Sequence, residues 1–296
     1  MTRADTSFGC AGIACALVLA VTACVTPKPA AAPQPASAPT RSHENLNATL
    51  WMQTAVEYRA STLQAYHAAR LALDAALADP NETAAVEQTG DVAALPPAVV
   101  LDLDETVLDN SPFEARLVAD SRPGAPVAYS DVAWRAWMAE QKQRAIPGAV
   151  EFLDYARSRG VTPIYITNTS ALEGGEAAER TTLQRLHVPL ADGTLLMRGE
   201  NGWNTTDKGP RRAFVAHRYR ILLLVGDNFE DFVSVPADAR TIEGRDAIAA
   251  QYAEWWGSRW IVLPNPTYGS WEQAITAGAA PAEALTRKYA ALRLER

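Results

Sequence analysis

Residues 98–113 read AVVLDLDETVLDNSPF, and this stretch predicts a buried strand that ends among acidic side chains. Four apolar residues, Ala98 to Leu101, come directly before Asp102, Asp104 and Thr106. In α/β proteins the carboxyl end of such a strand is where ligands bind. Because residues two apart in an extended chain point the same way, we expect Asp102 and Asp104 to face one small site.

Two carboxylates that face each other repel, and this repulsion predicts a cation between Asp102 and Asp104. A hard divalent cation such as Mg2+ prefers oxygen ligands of this kind. A plain acidic turn after a core strand is the alternative, and this stretch alone leaves it open. A calcium-binding loop is excluded, because such loops need glycine at their sixth position and this chain has Val107 there.

The chain has 296 residues and a formal net charge of −7. This length accommodates one sizeable domain with an appended part. The excess of negative charge argues against a nucleic-acid polymer as partner, because phosphate backbones are bound by bulk positive charge. Any phosphate is therefore expected to bind locally.

Residues 1–23 predict an export signal peptide, with Arg3 near the start and an apolar run over 11–23 that is too short to span a bilayer. Residues 21–24 read VTAC, which resembles the lipobox of bacterial lipoproteins, so we expect lipidation of Cys24 and attachment to a membrane through that lipid. Ordinary secretory cleavage is the alternative. All three cysteines (Cys10, Cys15 and Cys24) lie within the first 24 residues, so the mature domain is expected to form no disulfides.

Residues 24–44 predict a lipidated tether, because Pro and Ala dominate the stretch TPKPAAAPQPASAPT at 26–40. Such a composition favours extended conformers and cannot form a core. The folded domain is expected over residues 45–296. Its first predicted element is a long amphipathic helix, capped by Asn47 and ended by Pro80, whose apolar stripe comprises Val56, Leu63, Tyr66, Leu73 and Leu77.

Five apolar runs predict strands, and helical patterns separate them. The runs cover residues 98–101, 161–166, 195–197, 221–225 and 260–263. This alternation predicts an α/β fold with a doubly wound, mostly parallel five-stranded sheet and ligands at the carboxyl ends of its strands. We expect the core over roughly 95–109 and 147–268, with a helical subdomain from roughly 45–94, 110–146 and the C-terminal helices.

Polar side chains lie at the ends of four of the predicted elements: Asp102 and Asp104, Thr167, Lys208 and Arg211, and Asp227 and Asp231. Lys208 and Arg211 open a predicted helix, and Asp227 and Asp231 lie four apart at the start of another, hence on one face of it. Asp227 is well placed to complete a metal site with Asp102. A threonine hydroxyl and a cation are what a site needs to hold a phosphoryl group. Asp102 can then attack phosphorus to give an aspartyl-phosphate, and Asp104 can exchange a proton with the leaving oxygen and the hydrolytic water.

The four polar clusters are similar to the four motifs of the haloacid dehalogenase superfamily, with DLDET at 102–106 and GDNFED at 226–231. More narrowly, the chain resembles the class C acid phosphatases, which are exported bacterial lipoproteins. The similarity covers nearly the whole mature chain. Its other segments are NLNATLWMQTAVEY from residue 45, LDNSP from 108, RAIPGAVEF from 144 and LPNPTYGSW from 263.

The resemblance implies a role for each matched position in the chemistry. Asp102 would be the nucleophile and a ligand of one Mg2+ per active site, and Asp104 would be the acid/base, with its backbone carbonyl on the metal. Asp227 would be the third protein ligand, supported by Asp231.

The resemblance also implies a phosphate site. It would be formed by Thr167 and Asn168 and by a cation, either Lys208 or Arg211, between which the sequence leaves the choice open. One position departs from the family pattern: the family often has arginine after the Thr-Asn pair, where this chain has Thr169.

Trp134 and Tyr268 match positions where relatives stack a nucleobase between aromatic rings. A core position for Trp134 is the alternative. The expected function is therefore Mg2+-dependent acid phosphatase activity on small phosphate monoesters, including nucleoside 5'-monophosphates. A phosphotransferase that uses the same intermediate, and a surface lipoprotein that only binds, are the other hypotheses.

Other phosphatase classes are excluded by the sequence. Its four histidines are scattered and none stands in an R-H-G context, and no cysteine lies outside the signal segment to act as a nucleophile. The P-loop motif of nucleotide triphosphatases is also absent from the sequence, which excludes that class of enzyme. The expected location is the bacterial cell envelope. Val25 after Cys24 favours attachment to the outer membrane, with the domain facing the periplasm. The oligomeric state, a homodimer included, is left open.

Overall fold

A parallel sheet forms the centre of the fold in the computed structural model, which describes residues 43–120 and 129–294. The predicted signal peptide, Cys24 and nearly all of the tether lie outside the described residues. The described strands, in chain order, are β1 (Pro97–Leu101), β2 (Leu108–Asp109), β3 (Arg144–Ala145), β4 (Thr162–Ser170), β5 (Leu195–Arg198), β6 (Arg220–Gly226) and β7 (Trp260–Val262).

The five longer strands pair in the order β5-β4-β1-β6-β7, and every pairing is parallel. The two-residue strands β2 and β3 form a separate antiparallel pair. Strand order reverses at β1, because the chain continues to β4 and β5 on one side and to β6 and β7 on the other. A crevice at such a switch point is where open α/β sheets bind ligands.

Both faces of the sheet are covered by apolar layers. In β1, Val99 and Leu101 lie in one layer and Ala98 and Val100 in the other, and all four are buried. This two-sided burial explains why the strand reads as a continuous apolar run instead of an alternating one. The predicted fold class, a doubly wound α/β protein with a five-stranded sheet, is confirmed.

Helices flank the sheet and extend beyond it. No helix in the described part of the chain is both long and apolar enough to cross a membrane. The described α-helices are α1 (Leu46–Thr54), α2 (Val56–Ala78), α3 (Ser111–Asp120), α4 (Asp131–Glu140), α5 (Ala149–Ser158), α6 (Gly175–Arg185), α7 (Gly209–Ala216), α8 (Ile242–Gln251), α9 (Ser270–Thr276) and α10 (Pro281–Ala290).

The first predicted helix is interrupted at Ala55, whose backbone is extended with φ −78° and ψ 131°. Asn45, and not Asn47, precedes the first helical residue. The break lets α1 pack against α3 while α2 packs against α5 and the sheet. The prediction was therefore right about the extent of the helical region and wrong about its continuity.

The predicted apolar stripe of this helical region is only partly correct. Tyr66 and Leu73 are buried against the core, but Val56 is 75% exposed and Leu63 is 44% exposed. Small residues form much of the buried face of α2 instead, among them Thr62, Ala69, Ala72 and Ala76. Small side chains let the helix approach the sheet closely, and hydrophobicity alone does not reveal them.

Candidate active site

The chain turns sharply after β1 and presents two carboxylates on one side. The N–H of Asp102 still donates to the carbonyl of Val225 in β6 (2.9 Å), so the ladder of the sheet continues to this residue. Leu103 is fully buried in the core, while Asp102 and Asp104 line a cavity. The backbone then turns at Glu105, whose φ is +57°. Asp102 and Asp104 therefore face one site, as their spacing predicted.

The cavity has a volume of about 750 Å³ and lies at the carboxyl ends of β1, β4 and β6. It brings together most of the residues that the sequence predicted for the site. Those in its lining are Asp102, Asp104, Asn168, Lys208, Asp227, Asp231, Trp134 and Tyr268. Thr167 and Arg211 lie behind this lining and act through hydrogen bonds.

Lys208 is the cation that reaches Asp102. Its Nζ donates to a carboxylate oxygen of Asp102 and to Oδ1 of Asp231 (2.6 Å), and all three side chains are buried. Burial alone would lower the pKa of Lys208, but the two carboxylates outweigh it and raise that pKa. The amine is therefore charged and held directly beside Asp102.

Arg211 lies behind β4, away from the cavity. Its Nη1 donates to the carbonyl of Thr167 and its Nη2 to Oδ1 of Asn168, each over 2.6 Å, and its side chain is fully buried. The side chain of Asn168 also donates to the carbonyl of Thr206 (3.0 Å). Arg211 thus fixes the end of β4, and of the two candidate cations only Lys208 meets Asp102.

Three carboxylates form a cluster that suits a metal ion. Oxygens of Asp102, Asp227 and Asp231 lie within 4.8 Å of one another. Burial, together with Asp231, raises the pKa of Asp227 to about 7, and burial also raises the pKa of Asp102 despite the opposing effect of Lys208. One lysine does not balance three carboxylates, and the donors are all oxygens, so the residues fit a hard divalent cation.

Asp231 is held by a local turn and not by the α-helix that the sequence predicted. Residues Phe229–Asp231 form a single 3₁₀ turn, in which Oδ2 of Asp231 accepts from the N–H of Asn228 (2.9 Å). A Cβ at position 226 would lie 2.3 Å from the same oxygen, so the close approach requires Gly226. Asp227 is fixed separately, by bonds from Thr106 (3.1 Å) and Asn265 (2.9 Å).

Asp104 is not part of the carboxylate cluster and is held by neutral donors instead. Its Oδ1 accepts from Asn110 (2.9 Å), and its Oδ2 accepts from the hydroxyls of Thr167 (3.3 Å) and Thr169 (3.1 Å). Burial raises the pKa of Asp104, and these donors, Thr169 foremost, oppose that rise. Thr167 therefore contacts Asp104 from the strand end where the sequence placed it.

The departure at Thr169 has a structural consequence. The Thr169 hydroxyl donates to Asp104 and accepts from the indole N–H of Trp134 over 3.3 Å. A single side chain therefore joins the acidic loop to an aromatic wall of the cavity. Arg198, at the end of the neighbouring strand β5, brings a guanidinium to the same cavity.

Trp134 and Tyr268 face one cavity, whereas Trp137 is buried in the core. Trp134 is only partly buried and packs edge-on against Phe113, with ring centroids 5.1 Å apart. The indole N–H of Trp137 donates to Oδ1 of Asn110 (2.8 Å), the residue that holds Asp104. Helix α4 therefore places Trp134 in the cavity wall and Trp137 in the core.

Two residues that the sequence analysis did not assign support the site. Glu105 is fully buried; it accepts from the N–H of Asn110 (2.9 Å) and from the hydroxyl of Tyr268. Asn110 in turn donates to Asp104. A glutamate in the motif DLDET and an asparagine in LDNSP were the available signals. Their bonds to each other and to Asp104 lie within one short loop, but Tyr268 is 163 residues from Glu105 and could not be read from spacing.

A parallel sheet with a lysine, hydroxyls and paired carboxylates at the carboxyl ends of its central strands defines an α/β enzyme that acts on phosphate esters. A family model described as HAD superfamily, subfamily IIIB (acid phosphatase), matches residues 21–271, and the chain belongs to this family. It is therefore an acid phosphatase, a phosphomonoesterase of the haloacid dehalogenase superfamily.

Solved structures agree with this assignment. The class C acid phosphatase from Bacillus anthracis is 31% identical, with a TM-score of 0.71; the match covers 85% of this chain and 98% of that chain. The same enzyme with tungstate bound is also 31% identical over the same shares, with a TM-score of 0.69.

Proposed function

We propose that this acid phosphatase hydrolyses small phosphate monoesters, nucleoside 5'-monophosphates among them, in an Mg2+-dependent reaction through a phosphoryl group carried on Asp102. The observation that supports this proposal is the difference between two neighbouring carboxylates. Asp102 lies beside a lysine and two more carboxylates, whereas Asp104 lies among hydroxyl and amide donors. Such a difference suits a nucleophile and a proton carrier, respectively.

In this proposal Asp102 attacks the phosphorus and the bond to the leaving oxygen breaks. Lys208, already in contact with Asp102, offsets negative charge on the phosphoryl group. Tungstate is bound in the Bacillus anthracis relative, and as a tetrahedral oxyanion it supports a phosphate site in this fold.

Asp104 gives a proton to the leaving oxygen and takes one back from the water that hydrolyses the aspartyl-phosphate. Burial, the largest influence on its pKa, favours the protonated form that the first step needs. Hydrogen bonds from Asn110 and Thr169 orient the carboxyl group for both steps.

Asp102, Asp227 and the backbone carbonyl of Asp104 would hold the Mg2+, with Asp231 in support. A bound divalent cation offsets the charge of the phosphoryl oxygens during transfer. Asp231 is bonded to Lys208 and to the backbone of Asn228, and it thereby holds the lysine in place beside the other two carboxylates.

Phosphate release from a panel of monoesters, with and without Mg2+, tests the proposal. We expect release only with a divalent cation, and Asp102→Asn should lower kcat by up to about a millionfold, because an amide keeps the shape of the carboxylate but is not a nucleophile. Isolation of a phosphoryl group on any other residue would contradict the assignment.

Asp104→Asn adds a second arm to this experiment. It should impair alkyl esters severely and p-nitrophenyl phosphate least, because the nitrophenolate leaves without a proton. Equal losses for good and poor leaving groups would show that Asp104 does not act as the acid.

We also propose that Cys24 carries lipid and that the enzyme is anchored in the bacterial envelope, at the outer membrane facing the periplasm. The VTAC sequence at 21–24 and the Pro/Ala-rich stretch that follows support this. Each buried CH2 of an acyl chain contributes about 0.8 kcal/mol to membrane binding. Cys24→Ser should abolish incorporation of labelled fatty acid and move the activity out of the membrane fraction; unchanged fractionation would place the anchor elsewhere.

A further inference from the structure

Arg198 carries an uncommitted charge in the cavity. Its Nε donates to the carbonyl of Asn168 over 3.0 Å, which fixes the plane of the guanidinium. Within residues 43–120 and 129–294 Arg198 forms no ion pair, and neither its Nη1 nor its Nη2 donates a hydrogen bond. Lys208, in contrast, is engaged by Asp102 and Asp231. Arg198 thus presents a two-pronged donor whose orientation is already set.

The guanidinium stands where the main cavity meets a smaller side cavity of about 100 Å³. Trp134, Thr169 and Arg198 line both cavities, but Asp102 and Lys208 line only the main one. The side cavity has room for several waters or one compact group. A group held there therefore belongs to the leaving part of the substrate and not to the phosphate that meets Asp102.

Charge distinguishes the side cavity from the main one. Its two carboxylates, Asp131 and Glu173, are matched by Arg135 and Arg198, and Glu173 is already paired with Arg135 at 2.9 Å. Asp131 accepts only from the hydroxyl of Tyr129 (3.3 Å) among the described side chains. The main cavity, in contrast, is lined by many more carboxylates than cations. Apart from Lys208 at the phosphoryl site, Arg198 is therefore the cation of the two described linings that is not already paired with a carboxylate, and a further anionic group of the substrate would meet it.

We propose that Arg198 binds a second anionic group carried by the leaving part of the substrate. The preferred substrates are then phosphate monoesters whose leaving group bears a carboxylate or a second phosphate. Both oxyanions accept two parallel N–H bonds from a guanidinium, and here Nη1 and Nη2 supply them. This inference rests on the proposed function, because it names the substrate class of the same site.

Matched ester pairs test the inference: phenyl phosphate against carboxyphenyl phosphate, and adenosine 5'-monophosphate against adenosine 3',5'-bisphosphate. We expect the wild-type enzyme to favour the ester that carries a second anionic group in at least one pair. The pair in which it does so identifies that group as a carboxylate or a phosphate. Arg198→Ala should lower kcat/KM for that member about ten- to a hundredfold, mainly through KM, because a charge-assisted bond is lost. For the ester without a second anionic group, kcat/KM should change less than twofold.

Arg198→Lys should be intermediate, because lysine keeps the charge but not the fork. Arg180→Ala is the control for loss of positive charge, since Arg180 lines neither cavity and is paired with Glu176 on α6. Equal losses for both members of each pair, or no loss for either, would overturn the inference while leaving the phosphatase proposal intact. Absence of phosphate release from every ester with Mg2+ would overturn both.

Discussion

Asp102 and Asp104 are two residues apart and yet have different partners. Both are buried, and burial raises the pKa of each. Asp102 has a charged lysine at its oxygen, which favours its ionised form, whereas Asp104 has only neutral donors. Neighbouring groups whose surroundings differ in this way can take different parts in acid/base chemistry.

Glu114 offers a test of how burial couples stability to pH. Burial raises its pKa to about 7, although a hydrogen bond with Asn45 opposes the rise. Between about pH 4.3, where a glutamate of the unfolded chain ionises, and pH 7, the folded state binds more protons than the unfolded state. Stability from this group therefore falls as pH rises through that window.

Glu114→Gln should remove this penalty. The unfolding free energy of this variant relative to wild type should rise between about pH 4.3 and pH 7 and level off above, with a gain of at most about 4 kcal/mol, and its thermal midpoint should follow. Thermal unfolding from pH 4 to pH 8 measures it, and the exposed Glu57→Gln on α2 controls for the substitution itself. A difference that stays constant over this range would show that Glu114 does not titrate there.

The sequence predicted most of the polar residues that line the cavity, because most of them follow strands that end at one edge of the sheet. It did not separate Lys208 from Arg211, which lie one turn apart. The difference depends on where α7 begins: Lys208 precedes its first residue and reaches the cavity, while Arg211 lies in the first turn and is buried. The bond between Tyr268 and Glu105 spans 163 residues, so no local pattern indicates it.

Helix α4 shows how one element serves two environments. Trp134 and Trp137 are three residues apart and on neighbouring parts of the helix surface. Trp134 borders the cavity and bonds to Thr169, whereas Trp137 is buried and bonds to Asn110. Thr169 and Asn110 both donate to Asp104, so this helix links the aromatic wall to that carboxylate.

Trp134→Ala separates substrate recognition from packing. If Trp134 and Tyr268 hold a base, kcat/KM for nucleoside monophosphates should fall about five- to a hundredfold while p-nitrophenyl phosphate is nearly unaffected, since stacking contributes about 1 to 3 kcal/mol per base. Trp134→Phe, which keeps a ring but loses the N–H bond to Thr169, should retain most of the preference. Equal losses for both substrates with a lowered thermal midpoint would instead show that Trp134 is a core residue.

The sequence predicted all five strands of the parallel sheet, because strands buried on both faces are continuous apolar runs. The boundaries differ slightly; β4, for example, extends to Ser170 and carries Thr167 within it. The break at Ala55 could not be predicted, since alanine favours helix and the break arises from packing α1 and α2 on different surfaces. The 3₁₀ turn at Phe229–Asp231 likewise depends on a close contact with Gly226.

At the scale of the whole molecule, an acidic chain concentrates further carboxylates at the switch point of its sheet. The folded domain brings Asp102, Asp227 and Asp231 together from two strand ends that are more than a hundred residues apart in sequence. Their mutual repulsion is present only when the chain is folded. Binding of a divalent cation by these carboxylates would therefore be coupled to folding of the domain.

Divalent cation should accordingly raise the thermal midpoint of the wild-type enzyme. A cation at a hundred times its dissociation constant stabilises the folded state by about 2.7 kcal/mol. For a domain of this size that corresponds to a rise of about 5 to 10 °C, since each kcal/mol shifts the midpoint by about 2 to 4 °C. Calorimetry after EDTA treatment, with Mg2+ added back and with NaCl at equal ionic strength as control, measures the shift.

Asp227→Asn should abolish the Mg2+-dependent shift and, without metal, should unfold at the same temperature as the wild type or higher. The amide can still accept from Asn265 and donate to the Thr106 hydroxyl, while one of three crowded charges is removed. A destabilised variant without metal would mean that Lys208 and the local hydrogen bonds already balance the cluster. A variant that keeps the full Mg2+ shift would show that the cation binds elsewhere.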